Sequence, residues 1–285
     1  MMANLVELLS AVEERPASES GAFVFDGDAS AGVVDSVLVE TSQVCWAAAP
    51  GRGARLRDLL RRNADRRLDD RDLDDAFARC RDERRPLGDV LCERELISDA
   101  GLRAALKQHT VESLIAQCDG DREVTWVPHR QRGYHARFTF PPTELLAQAG
   151  AELYPREASS LDAEHLALPA VRSAGSFAID DDDEAVAIRV DGTAALPVRT
   201  LLELGNWAAS ALAACNGFSP AVMARAVAEV SGAAALGWRS ARRLVHVIVI
   251  DEPAALSQAV AALAQRNHPA VLSSRLAALQ PQSHH

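Results

Sequence analysis

The stretch RLVHVIVI, Arg243 to Ile250, decides how the second half of this chain folds. Leu244, His246, Ile248 and Ile250 fall on one alternating face, and Val245, Val247 and Val249 fall on the other. Both faces are apolar enough to need cover, so the strand belongs inside a sheet with a layer on each side. His246 reads as a hydrogen-bonded core histidine, because no second His, Cys or carboxylate stands at metal-ligand spacing beside it.

Outward from that strand the pattern alternates in blocks. VMARAVAEV and AAALGWR precede it as two further strands, and Pro253 to Gln265 follows as a helix. Upstream, the order is a short helix from Ala163 to Val171, strands Ser176 to Asp180 and Ala185 to Val190, and a long helix from Pro197 to Cys215. The four aspartates Asp180 to Asp183 sit where a hairpin turn is required. They lack the spaced ligands and distal Glu of a calcium loop, which makes them a solvated turn.

The first half reads as a helix from Asn4 to Glu14, a β-meander through GAFVFDG, VVDSVLVE and VCWAAA, and a helix in ARLRDLLRRN. Asp65 to Asp75 mixes both signs densely, and Leu68, Leu73, Ala76 and Phe77 mark one face of a further, solvated helix. VTWV (Val124 to Val127) and ARFTF (Ala136 to Phe140) are expected to be strands. PPTELLAQAGAEL closes the half as a helix starting at its prolines, and YPREASS reads as a linker.

A chain of 285 residues with 48% hydrophobic and 25% charged residues fits two domains of roughly 100 to 150 residues each. The formal charge of −10 opposes binding to a polyanion unless a local basic face overrides it. Cys45, Cys80, Cys92, Cys118 and Cys215 form no C-x-x-C pair and read as reduced, buried thiols. The opening MMANLVELLSAVEERP lacks the basic head of a signal peptide, and no run reaches the ~18 apolar residues of a membrane span. The expectation is a cytoplasmic protein. No Ser-His-Asp set, P-loop or paired acids can be assembled, so no enzyme activity, cofactor or metal is expected.

PLGDVLCERELISDAGLRAALKQHT, Pro86 to Thr110, reads as two helices around a tight corner, with Ser98 as N-cap of the second. As a helix-turn-helix it would offer Arg103, Lys107, Gln108 and His109 to a groove, but Asp99, Glu112, Asp119 and Asp121 surround them. The same stretch resembles the helix pair of the cyclic-di-GMP-binding N-terminal domains of type II secretion ATPases. That family has an arginine directly before Leu-Gly, a glycine at the corner and a glutamine after the last leucine. Here Pro86 separates Arg85 from Leu87, Glu95 takes the glycine position and His109 the glutamine position. A DNA-binding regulator and a cyclic-di-GMP sensor therefore stand as alternatives.

Across residues 1–153 the order of helix, GAFVFDG, SVLVETSQVCWAAAPG, helix, LGDVLCERELIS pair, REVTWVPH and ARFTFPPTELL resembles a PATAN-type domain. Residues 161–268 resemble a roadblock (longin-like) domain in the order helix, two strands, helix, three strands, helix. Together these resemblances imply an α+β chain. Its N-terminal half would be a PATAN-like β-meander with an inserted helical hairpin, and its C-terminal half a roadblock-like five-stranded antiparallel sheet flanked by helices. Residues 154–160 would form the linker and 269–285 a tail. The implied role is a non-enzymatic scaffold or regulator in bacterial signalling, polarity or motility that binds a small Ras-like GTPase and forms a homodimer. Arg239, Arg242 and Arg243 are the partner-side candidates. Leu201, Leu204, Trp207 and Leu212 are the candidates for self-association.

Overall fold

The computed structural model describes residues 1–26, 35–49, 53–83, 85, 87–120, 122–159, 171–192, 196–213, 225–230, 233–251 and 255–266. These residues form a mixed α+β fold with two antiparallel sheets, one of four strands and one of five. The chain divides into two compact units: Met1–Glu152 with Pro197–Arg199, and the remainder from Leu153.

The first unit opens with helix α1 (Met2–Glu13), followed by strands β1 (Ser20–Phe25), β2 (Ser36–Glu40) and β3 (Gln43–Ala48). Alternation places Val37 and Val39 of β2 in the core. A two-residue turn joins β2 to β3, with Thr41 at φ 52° and Ser42 at φ 58°, a left-handed pair usually given to Asn-Gly. Side chains hold it there: Ser42 donates to the Arg15 carbonyl and Thr41 to the Glu40 carbonyl, each at 2.7 Å.

Four helices come next, α2 (Gly53–Asn63), α3 (Asp70–Glu83), α4 (Leu87–Glu93) and α5 (Asp99–Gln117), before strand β4 (Val124–Pro128). The sheet order is β3-β2-β1-β4. The charge-laced run supplies its own helix start, since the Asp69 carboxylate accepts the Asp72 N–H at 2.8 Å. Ser98 caps α5 as the sequence implies, accepting the Gly101 N–H at 3.3 Å. Gly101 lets α2 close on α5, because a Cβ there would stand 2.2 Å from the Asn63 carbonyl oxygen. Leu59, Leu60, Leu73, Leu91, Leu96 and Leu102 fill the space between these helices.

ARFTF departs from expectation. It forms a 3-10 turn (Ala136–Phe138) and a single bridge of Phe140 to Val44 instead of a strand. The reason is competition for its backbone, because the Arg103 guanidinium takes the carbonyls of Arg137 (2.7 Å) and Thr139 (2.9 Å). Phe140 alone remains to close the outer side of β3. Helix α6 (Pro142–Leu153) follows, and a short helix α7 (Pro155–Ser159) occupies the stretch read as a linker.

The second unit contains β5 (Val171–Ile179), β6 (Ala185–Gly192), α8 (Val198–Ala213), β7 (Arg225–Val230), β8 (Ala233–Ala241), β9 (Leu244–Ile250) and α9 (Leu256–Arg266), in the sheet order β6-β5-β9-β8-β7. β9 is central and every one of its residues is buried. Its Val247 and Val249 meet Leu201 and Leu204 of α8, while Ile248 and Ile250 pack with Trp238 and, from α9, Ala259. Close contact on the α8 side requires small residues in the sheet, and a Cβ on Gly237 would lie 2.9 Å from that of Ala208. β5 starts at Val171 rather than Ser176, because its ladder with β9 continues as far as Val171–Ile250. The helix expected from Ala163 therefore gives way to strand at Val171. Residues 163–170 and Cys215 lie outside the described residues.

At the corner between α4 and α5, Glu95 adopts φ 52°. Its N–H reaches the Cys92 carbonyl (2.9 Å), and the Leu96 N–H reaches the Leu91 carbonyl (3.0 Å), a left-handed helix ending that suits glycine. Replacing Glu95 with Gly is expected to stabilise the protein by about 0.5–1 kcal/mol. Urea titration monitored by circular dichroism reads this, and a lower midpoint for Glu95→Gly would refute the strain assigned to this position.

Candidate functional site

The antiparallel register of β5 with β9 puts two hairpin turns side by side at one end of the second sheet. The Ile179 N–H donates to the Arg243 carbonyl at 2.9 Å, and Arg243 Nε donates back to the Ile179 carbonyl at 2.6 Å. This joins the acidic run to the basic turn, although 60 positions separate Asp183 from Arg243 in the sequence. Asp180 folds the acidic turn by accepting the N–H groups of Asp182 (3.0 Å) and Glu184 (2.8 Å), with Asp183 at φ 62°. Asp181 pairs with Arg243 at 3.1 Å. Between the turns lies an open cleft of about 760 Å³ lined by Asp180, Asp181, Asp183, Arg239, Arg242 and Arg243.

The three arginines read as partner-side residues thus stand in different situations. Arg243 is held by Asp181 and by Ile179. Arg239 is half-buried, and its Nε makes no hydrogen bond with a described residue. Arg242 is exposed. The site is a mixed-charge cleft, not a basic rim. Behind it, Tyr154 packs on Ala178, Ile188 and Leu244. Burial pushes its phenol pKa up, with Asp180 adding to the rise.

The self-association candidates need correction. Leu201, Leu204 and Leu212 are buried, whereas Trp207 is half-exposed. The apolar width of α8 covers its own sheet, because the opposing strand β9 needs that layer.

His246 is a satisfied core histidine. Ser176 Oγ lies 3.0 Å from Nδ1, Ser240 Oγ lies 2.6 Å from Nε2, and the Trp238 ring stacks on the imidazole with centroids 5.1 Å apart. Nothing local to His246 signals the two serines, which only cross-strand register brings to the ring.

On the helix pair, each side chain offered to a groove is engaged within the fold. Arg103 binds two carbonyls and Glu144 (2.6 Å) and covers the Phe140 ring at 4.7 Å, and Lys107 shares Glu144 at 3.2 Å. Gln108 donates to Glu112, itself held by Arg55, and His109 is buried with its ring 4.7 Å from Trp46. Arg85, placed near the arginine of the cyclic-di-GMP resemblance, pairs with Glu93 (2.7 Å) and Glu83 (3.5 Å).

One buried acid escaped the sequence reading. Glu40, 3% exposed, accepts the backbone N–H groups of Arg132 (2.5 Å), Gly133 (3.1 Å) and Tyr134 (3.3 Å). Its carboxylate thereby moors the basic loop after β4 to the sheet. Cys45, Cys80, Cys92 and Cys118 are free thiols, Cys45 and Cys118 buried and the other two partly so. Burial pushes Cys45 up to about 12 and both Cys92 and Cys118 up to about 11, so these thiols stay protonated and unreactive near neutral pH. Among the described residues, no three His, Cys, Asp or Glu side chains gather to hold a metal ion, and no helix is long and apolar enough to cross a membrane. No family model, curated protein or solved structure matches the chain.

Replacing Glu40 with Gln removes the charge and leaves one acceptor oxygen, so an amide N–H end faces at least one of the three backbone donors. The expected cost is about 2 kcal/mol, together with about tenfold faster amide exchange at Arg132, Gly133 and Tyr134. Hydrogen exchange followed by mass spectrometry reads both, and unchanged protection of that loop would show that Glu40 does not moor it.

Proposed function

We propose that this protein is a non-enzymatic scaffold or regulator acting in the bacterial cytoplasm, in a signalling, polarity or motility pathway, and that its second unit binds a small Ras-like GTPase. The sheet order β6-β5-β9-β8-β7, with the last strand at the centre and one helix between the second and third strands, carries this reading. It agrees with the roadblock resemblance of residues 161–268, in which the final strand lies inside the sheet. The meander β1-β2-β3, with helices inserted before β4, likewise supports the PATAN-type reading of residues 1–153, a protein-interaction domain.

On this reading the mixed-charge cleft is the partner-facing end. Arg242, exposed at its rim, supplies the first attraction, and Arg243 becomes available once the partner takes the place of Asp181. Such a regulator acts by shape on the switch segments of its GTPase and needs no arginine finger. Self-association falls to Trp207, the half-exposed member of the α8 set.

The test is co-elution with the Ras-like GTPases of its own genome, each loaded with GDP or with a GTP analogue. A complex in one nucleotide state is expected, weakened about tenfold by Arg242→Glu. No complex with any of them in either state would overturn the assignment.

A further inference from the structure

Among the described residues, none pairs with the outer side of β4, which stands at the edge of the sheet. The Asp26 N–H bonds the Glu123 carbonyl at 2.9 Å and the His129 N–H bonds the Ser20 carbonyl at 3.0 Å, so residues 123, 125, 127 and 129 direct their backbone groups toward β1. By alternation the N–H groups of Val124 and Trp126, and the carbonyls of 124, 126 and 128, point away from it. No described residue bonds them. Pro128, which has no N–H, sits at one of these outward positions, where no β1 bond is lost. Both faces of the strand are open as well, with Val124 40% and Val127 46% exposed. The opposite edge of the sheet differs, since Phe140 closes β3 with bonds of 3.0 and 2.9 Å.

β4 runs directly into the loop moored by Glu40. There His135 pairs with Asp89 and Arg137 with Asp99, whereas Arg130 and Arg132, both exposed, pair with no described acid. In a chain of net charge −10, two such guanidinium groups at the end of an open strand define the chemistry of an occupant.

We infer that β4 receives an extended acidic segment of a partner protein as an added strand. Its carbonyls take the Val124 and Trp126 N–H groups, its N–H groups meet the outward carbonyls, and its β-branched side chains lie on Val124 and Val127. Its Asp or Glu residues continue past Pro128 to Arg130 and Arg132. A single-stranded nucleic acid is less well served, because it needs a free ring for stacking. The Trp126 indole is already engaged, lying 4.9 Å from Phe23 and under the Arg15 guanidinium at 4.6 Å, in the space left by Gly21.

The experiment selects displayed random peptides of roughly twelve residues on the full chain and measures the best by fluorescence anisotropy. Peptides with β-branched residues on both faces of the strand, opposite Val124 and Val127, and ending in Asp or Glu are expected. Val124→Pro removes an outward N–H without touching a β1 bond, and is expected to weaken binding about tenfold. The double change Arg130→Glu with Arg132→Glu is expected to weaken it about tenfold at low salt and less at high salt. Failure to enrich any peptide, enrichment of peptides without acids, or binding indifferent to Val124→Pro would each overturn the proposal. So would tight binding of a uridine oligomer that depends on Arg130 and Arg132 but tolerates Val124→Pro.

Discussion

A strand that is apolar on both sides cannot face water anywhere, and β9 imposes that constraint on the whole second unit. Its residues are buried throughout, so it must lie inside the sheet with a helical layer on each face. α8 fulfils one side through Leu201 and Leu204, and α9 the other through Ala259. The small residues Gly175 and Gly237 follow from the same demand, because they let α8 approach the sheet closely. Placing β9 between β5 and β8 also sets their turns next to each other, so the mixed-charge cleft is a by-product of core burial. The chemistry at the surface thus inherits its geometry from a requirement of the interior.

In the first unit the organising element is α5, and its polar residues act as ties. Arg103 gathers Glu144 and two backbone carbonyls, and Arg55 holds Glu112 through two hydrogen bonds. Each of these charges has a stationary partner, which leaves the face with little to offer a polyanion. A helix pair of similar outline in a DNA reader keeps such groups free for phosphate and base edges. The difference lies in what the rest of the chain folds against the helix, and it is invisible in the helix alone.

Much of the fold was legible because apolar period and turn chemistry are local signals. The doubly apolar β9, the alternating Val37 and Val39 of β2 and the Ser98 cap each announce themselves within a few residues. ARFTF is illegible for the opposite reason, since its strand-like composition is overridden by Arg103, more than 30 positions away, which takes its carbonyls. The burial of the α8 leucines is not legible locally, because a wide apolar stripe looks the same whether it faces its own sheet or a second copy. At the candidate cleft the arginines were visible, but their neutralising aspartates were not, as strand register alone brings Asp181 to Arg243. Glu40 left no trace at all in the sequence, because its partners are backbone N–H groups that carry no side-chain signature.

Pro128 has a consequence for the behaviour of this protein in a crowded cell. An open edge with exposed valines invites chain upon chain to stack into fibrils, and unprotected edges of this kind are hazards for solubility. By withdrawing one donor at the end of the ladder, the proline leaves Val124 and Trp126 as the outward N–H donors of β4, a shorter template than an unbroken edge would offer. This protection costs β4 no bond to β1, because position 128 faces away from that strand.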